Sequence, residues 1–268
     1  MDDKVAINVL GTLEVSYAGD QICLPASRKT RALLGYLAIN GSPERRDRLC
    51  ELLWDVPDDP RGALRWSLSK LRPIVNCGAK TRLLADRERV CLDTGHFTID
   101  LLEAQTLIRD DLARPRSLID LWPQLDKILL ADCEIPNQDG FSLWLAQARG
   151  EVERLKALLA ERIATSDSLA TAEKPLWADR WLENAPMNSK AALQVVAARR
   201  RLGRDEEAER LADEIDRLFR SAGLQVCRCR IFPRRYQTCD NSNRRRLRLP
   251  SQGRRNRFGL PERRITYR

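Results

Sequence analysis

The arginines between residues 60 and 75 are the side chains of this sequence whose type and spacing best suit a defined chemistry. Arg61, Arg65, Ser69 and Arg72 fall within an arc of about 80° if successive residues of a helix are set about 100° apart. A guanidinium group donates in a rigid fork that matches both a phosphate group and the edge of a guanine base. This strip therefore suits a helix lying in the major groove of DNA, although the sequence does not assign individual arginines to bases or to phosphates.

An apolar stripe lies beside the arginines on the same predicted helix. Leu64, Leu68, Leu71 and Val75 share an arc of about 60°, which predicts a face that packs on other helices. The alternative is an ordinary solvated helix face, because basic strips on helices are common.

A charged β-hairpin is predicted after this helix, over residues 81–92. Lys80 precedes it, and we expect three of its arginines to contact DNA: Arg82, Arg87 and Arg89. Acidic side chains near this region are confined to the loop and cap before the helix, at Asp55, Asp58 and Asp59.

The start of an earlier predicted helix, over residues 27–40, carries Arg28 and Lys29 after the N-cap residue Ser27. Because unpaired backbone N–H groups at a helix N-terminus attract anions, we expect these two cations to contact phosphates.

Cysteine and histidine give little support for catalysis or metal binding. The chain has eight cysteines and a single histidine, His96. Five cysteines stand singly among apolar residues, which predicts reduced, buried thiols. Cys227, Cys229 and Cys239 lie near one another but lack a fourth ligand, so no metal is expected. Without a Gly-rich phosphate loop or a plausible carboxylate pair, we expect neither a cofactor nor enzyme activity.

The net charge of +9 is unevenly distributed along the 268 residues. Residues 225–268 contain 14 arginines and two acidic residues, so this tail carries +12 and the preceding 224 residues carry −3. DNA binding by the first 224 residues therefore depends on where individual charges lie, and not on the net charge.

The composition of the chain also changes abruptly after Gly223, since the tail has no alanine and uses arginine as its only basic residue. One interpretation is an out-of-frame reading of a GC-rich gene, and the other is an arginine-rich arm that binds nucleic acid through phosphates. Both predict a disordered segment. Resequencing the locus distinguishes them.

Turn signals and periodicity place the arginine strip in a winged helix. Residues 4–24 are predicted as short antiparallel strands, followed by the helix over 27–40, a second helix from Ser42, a third from Pro60 to about Ile74, and the hairpin. From Ile99 the pattern is helical, with helices predicted near 100–112, 117–132, 141–165, 171–184, 188–202 and 205–221.

These elements predict an α+β N-terminal winged helix followed by an all-α, tetratricopeptide-like helical repeat domain, with a disordered C-terminal tail. The corresponding domains are residues 1–96, 97–223 and 224–268.

Four sequence blocks in the two predicted domains form a recognisable set. They are Leu33-Leu34-Gly35-Tyr36-Leu37-Ala38, then Arg48-Leu49-Cys50-Glu51-Leu52-Leu53-Trp54, then Ala63-Leu64-Arg65 with Ser69-Lys70-Leu71-Arg72, and Phe141 with Trp144-Leu145-Ala146 and Arg149. With these blocks the chain resembles the SARP family of bacterial activators over about residues 5–223. The segment 165–175 is loosely patterned, and beyond residue 223 nothing matches.

The resemblance implies an OmpR-type winged helix followed by a bacterial transcriptional activation domain. It further implies cooperative binding to direct-repeat promoter elements on double-stranded DNA, hence a possible homo-oligomer on DNA, and recruitment of RNA polymerase.

The alternative function is a protein-interaction scaffold, in which the repeat domain is the working surface and the winged helix binds protein. For either function we expect a cytoplasmic protein without a membrane span. No apolar stretch approaches the roughly 18 residues that a span needs, and the acidic N-terminus lacks the order of a secretion signal.

Overall fold

The first strands of the chain form a four-stranded sheet with a strand that comes from much later in the sequence. The computed structural model describes residues 5–55, 59–77 and 80–223. The sheet has the order β3-β2-β1-β7, with β1 Val5–Asn8, β2 Glu14–Tyr17, β3 Asp20–Ile22 and β7 Phe97–Ile99. β7 runs parallel to β1, with Val5 opposite Phe97, whereas the other pairs are antiparallel. The sequence predicted the first three strands and missed β7.

Three helices and a second, small sheet follow the first three strands. In chain order these elements are α1 Arg28–Asn40, β4 Glu44–Arg45, α2 Arg46–Leu53, α3 Pro60–Val75, β5 Leu83–Ala85 and β6 Arg89–Leu92. The second sheet has the order β4-β6-β5, so the hairpin of β5 and β6 pairs with the short strand before α2. This is the arrangement of a winged helix, as predicted, with the hairpin as the wing.

The ends of α1 and α3 follow from local chemistry. Ser27 caps α1 by accepting a hydrogen bond from the backbone N–H of Thr30 at 3.3 Å. α1 stops at Gly41, whose φ of +63° is the left-handed conformation that glycine adopts readily. Asp59 caps α3 by accepting from the N–H of Gly62 at 2.7 Å, and Pro60 occupies the first turn, where no N–H is needed.

The rest of the described chain is helical. Its helices are α4 Asp100–Arg109, α5 Pro115–Ile119, α6 Trp122–Leu125, α7 Asp139–Thr165, α8 Lys174–Asn184, α9 Ser189–Arg201 and α10 Asp205–Ser221. Consecutive helices from α7 to α10 pack on one another, as expected for helical-hairpin repeats.

The single helix predicted over 117–132 is wrong. Two short helices replace it, and Pro123 lies in the first turn of the second. The chain then pairs with the turn between β1 and β2, where the N–H of Leu130 donates to the carbonyl of Val9 at 2.9 Å. Leu130 has a φ of +49°, which a right-handed helix does not permit, so a tertiary hydrogen bond overrides the local helical pattern here.

One continuous hydrophobic core joins the winged helix to α4–α8. Tyr36 on α1 contacts Trp144 on α7 with ring centroids 4.8 Å apart, and Phe141 lies 5.3 Å from Trp144. The division at residue 96 remains a prediction based on element type, and the packed interior extends to both sides of it.

Gly150, in the interior of α7, offers a test of helix stability. A Cβ atom at this position would meet nothing within 4 Å, so alanine adds no clash and removes the entropic cost of glycine. We expect Gly150→Ala to raise the free energy of unfolding by about 0.5–1 kcal/mol, measured by urea denaturation.

Gly35→Ala is the matched control, because its Cβ would lie 2.7 Å from Cδ2 of Leu130. We expect this second change to destabilise the protein, and a stabilising effect at Gly35 would contradict the packing of Leu130 on α1.

Within residues 5–55, 59–77 and 80–223, no helix is long and apolar enough to cross a membrane. The tail predicted to be disordered, residues 224–268, lies outside the described residues.

Candidate nucleic-acid interface

α3 separates its apolar and its basic residues onto different faces, as the sequence predicts. Leu64, Leu68, Leu71 and Val75 have at most 1% of their surface exposed. The residues expected to contact DNA are exposed: Arg61, Arg65, Ser69 and Arg72. α3 contains three arginines and one lysine and no acidic residue, so the field at its exposed face is positive.

A buried hydrogen bond helps to orient this face. The hydroxyl groups of Thr30 on α1 and Ser67 on α3 lie 3.0 Å apart, and both side chains are buried. Because a buried hydroxyl that loses its partner is costly, this bond favours one rotation of α3 on α1.

Two arginines of the strip form ion pairs with acidic residues at the edge of the surface. Arg61 lies 2.7 Å from Asp47 on α2, and Arg65 lies 3.7 Å from the capping residue Asp59. Both arginine side chains are 69% exposed. Exposed pairs of this kind contribute little stability, so both guanidinium groups can exchange a carboxylate for a phosphate or a base at small cost.

An exposed tryptophan, to which the sequence analysis assigned no role, lies on the same helix. Trp66 is 51% exposed, and the Nζ atom of Lys70 lies 5.6 Å from the centre of its ring. The hydroxyl of Ser69 donates to the backbone carbonyl of Trp66 at 2.7 Å. A large aromatic side chain in solvent, on a helix that carries four cations, is a candidate for contact with a base or a sugar. Its exposed position on the helical wheel was the available signal.

The structure contradicts the prediction that Arg82 contacts DNA. Arg82 is fully buried, and its Nη1 atom donates to the carbonyls of Val75, at 3.2 Å, and Cys77. These carbonyls lie at the C-terminal end of α3, where the helix dipole favours a cation. Arg82 therefore connects the end of α3 to the start of the wing. The sequence could not distinguish Arg82 from the exposed Arg87 and Arg89. The pattern of a strand does not show that the C-terminal end of α3 lies beside residue 82.

The tip of the wing is held by Asp86. Its carboxylate accepts hydrogen bonds from the backbone N–H groups of Glu88 and Arg89, both at 2.7 Å. The bond from Arg89, followed by the bond from Glu88, lowers the pKa of Asp86. This defined turn presents two exposed arginines, Arg87 and Arg89, where the sequence predicts DNA contacts.

Arg45, which the sequence analysis did not select, lies beside the wing. Strand β4 pairs with β6 so that Arg45 is directly opposite Arg89, and both residues are exposed. Like charges on opposite strands repel each other, which favours an anion between them. The doublet Arg45-Arg46 at the start of α2 was the sequence signal. Arg46 supports the wing, since its Nε atom donates to the carbonyl of Asp86 at 2.7 Å.

Arg28 and Lys29 lie in the first turn of α1, the position that the sequence predicts. Arg28 lines a cleft with residues of α7, and none of the residues that line this cleft belongs to α3 or to the wing. Its contact with phosphate remains a prediction.

The described cysteines are free thiols, and burial varies among them. Cys50 and Cys133 are buried as predicted, whereas Cys23 is exposed. Burial raises the pKa of Cys133 to about 12, so this thiol is inert as a nucleophile at neutral pH.

The order of elements and the placement of α3 and the wing define a winged helix followed by a helical domain, which is the fold of SARP-type regulators. Among solved structures, the chain is similar to EmbR of Mycobacterium tuberculosis, a SARP-family regulator whose structure was determined in complex with a low-affinity phosphopeptide. The TM-score is 0.61, the sequence identity is 18%, and the match covers 84% of this chain and 62% of the EmbR chain. No family model and no curated protein matches the sequence.

Proposed function

We propose that this protein is a sequence-specific DNA-binding transcriptional regulator. The observation that carries the proposal is the exposed face of α3, which combines four cations with no acidic residue on a helix whose opposite face is buried. A helix of this kind, next to a wing with its own arginines, has the shape and charge to enter the major groove.

The proposed contacts fall into two groups. Arg61, Arg65, Ser69 and Arg72 lie in or beside the major groove, with Trp66 and Lys70 at the edge of the same helix. Arg45, Arg87 and Arg89 contact the phosphates that flank the groove, since they are exposed and lie on or beside the wing.

The regulatory action that we propose is activation at direct-repeat promoter elements, with cooperative binding of several copies and recruitment of RNA polymerase through the helical domain. The resemblance to SARP activators supports this part. The packing of α7–α10 supports it as well, since stacked helical hairpins provide an extended surface for a protein partner.

The experiment that tests the proposal is selection of bound duplexes from a random pool by the full chain, followed by affinity measurements at several salt concentrations. We expect one enriched motif, and a specific affinity at least 10³-fold above the nonspecific affinity, as is typical of specific regulators. The same selection with a chain that ends at Gly223 controls for nonspecific binding by the arginine-rich tail. If neither chain enriches a motif, the proposal fails and a protein-interaction scaffold takes its place.

Replacing Arg65 separates base recognition from general attraction to DNA. We expect Arg65→Ala to remove about 1–3 kcal/mol of discrimination at one position of the selected motif, while nonspecific binding falls only slightly. Arg89→Ala, on the wing, should weaken binding to all sequences alike. It should also reduce by about one the number of counterions released on binding, which is read from the slope of affinity against salt concentration.

Arg109→Ala is the matched control for both changes, because Arg109 is an exposed arginine on α4, outside α3 and the wing. If Arg65→Ala gives the same motif and the same affinity as the control, α3 does not read bases.

A further inference from the structure

A cleft lies between the winged helix and the helical part of the chain, away from α3 and the wing. It has a volume of about 640 Å³, within the range of about 300–1,000 Å³ that is usual for small-molecule sites. The start of α1 forms one side of it, and the segment 134–136 and the first turns of α7 form the rest. Its apolar lining includes Ile135, Leu145 and the exposed Ala146, with the fully buried Phe141 behind them.

The charges around this cleft do not balance. Nη1 of Arg149 lies 2.7 Å from Oε1 of Glu134, and Nε of Arg149 donates to the carbonyl of Leu129 at 3.1 Å. Arg28, on the opposite side, has no ion pair with any described residue and is exposed. The N-terminus of α1, to which Arg28 belongs, adds partial positive charge. The cleft therefore has one positive charge in excess beside an apolar surface.

An unsatisfied donor lies in the same lining. Nη2 of Arg149 is buried and has no hydrogen-bond acceptor within residues 5–55, 59–77 and 80–223. A buried donor without an acceptor is costly, and in native proteins it commonly marks the position of a bound water or ligand.

We propose that this cleft binds a small organic monoanion, with its carboxylate at Arg28 and its apolar body against Ile135, Leu145 and the exposed Ala146. The single excess charge selects a monoanion over a dianion. The apolar lining selects a ligand with an aromatic ring or a short alkyl chain over an inorganic ion. None of the lining residues belongs to α3 or to the wing, and Arg28 is the one residue that this cleft shares with the predicted phosphate contacts.

The test is saturation-transfer NMR on the full 268-residue chain with benzoate, phenylacetate and octanoate, each at up to about 10 mM, beside the neutral amide of each acid. We expect at least one carboxylate to bind and its amide to bind at least about tenfold more weakly, because the amide lacks the charge-assisted bond to Arg28.

Two variants locate the binding in the cleft. Arg28→Gln should weaken carboxylate binding by about tenfold or more, and Ala146→Trp, at an exposed lining position, should block the carboxylate and the amide alike. Arg109→Gln, a change of the same type on α4, should have no effect. Both cleft positions are exposed, so folding is retained, and the thermal transition of each variant verifies this.

Three results would overturn the proposal. One is the absence of binding by all three carboxylates, and another is equal binding of acids and amides. The third is carboxylate binding that survives Arg28→Gln, which would assign it to other cations such as the 14 arginines of residues 225–268.

Discussion

Arg82→Ala is expected to destabilise the protein by about 2–5 kcal/mol, although the residue lies in a hairpin whose other arginines are exposed. The change removes the donor for the carbonyls of Val75 and Cys77, each of which is left unsatisfied at a cost of about 1–3 kcal/mol. It also leaves a cavity where a fully buried side chain was, next to the ring of Phe97.

Urea denaturation followed by circular dichroism measures this effect, and Arg89→Ala is its control in the same hairpin. Arg89 is exposed, so its loss should change the free energy of unfolding by no more than about 0.5 kcal/mol while weakening DNA binding. Equal stabilities of the two variants would contradict the buried position of Arg82. Arg82→Lys should restore part of the stability, because an ammonium group can still donate to one of the two carbonyls.

Phe141→Ala is expected to destabilise the whole described unit by about 3–5 kcal/mol, the range for removing a buried phenyl ring. Phe141 is fully buried at the start of α7, where Trp144 and Tyr36 connect it to α1. One core joins the winged helix to α4–α8, so we expect both parts to unfold in a single transition. The substitution should lower the midpoint of that transition.

Tryptophan fluorescence and far-ultraviolet circular dichroism, recorded on the same denaturation series, test this cooperativity. Leu143→Ala is the matched control, since Leu143 is 63% exposed two residues along the same helix and should change stability by no more than about 0.5 kcal/mol. Separate transitions for the two signals would show that the winged helix and the helical repeats unfold independently.

A shared core has a consequence for regulation. α1 packs against α3 through Thr30 and Ser67, and it packs against α7 through Tyr36 and Trp144. α2 likewise packs against both α3 and α7, so the helical domain contacts α3 indirectly through α1 and through α2. Through these two helices, a change in the helical domain can alter the position of α3, on which the proposed DNA contacts lie.

The sequence alone determined the features that depend on neighbouring residues. The capping residues Ser27 and Asp59 and the stop at Gly41 set the ends of α1 and α3. The spacing of Leu64, Leu68 and Leu71 fixed which face of α3 is buried, and hence which arginines are exposed. Periodicity and capping act within one or two turns of helix, so these features could be predicted without knowledge of the fold.

The tertiary structure alone decided the features that depend on how the chain folds back on itself. Arg82 is buried because the end of α3 presents two carbonyls to it, and Arg45 joins the surface because β4 pairs with β6 opposite Arg89. Residues 117–132 do not form one helix because the carbonyl of Val9, in the turn after β1, accepts a hydrogen bond from Leu130, and β7 forms because β1 has a free edge beside it. The pairings of β4, β7 and Leu130 each depend on a partner far away in sequence, and the burial of Arg82 depends on how the chain turns back after α3. A pattern of residue types specifies neither.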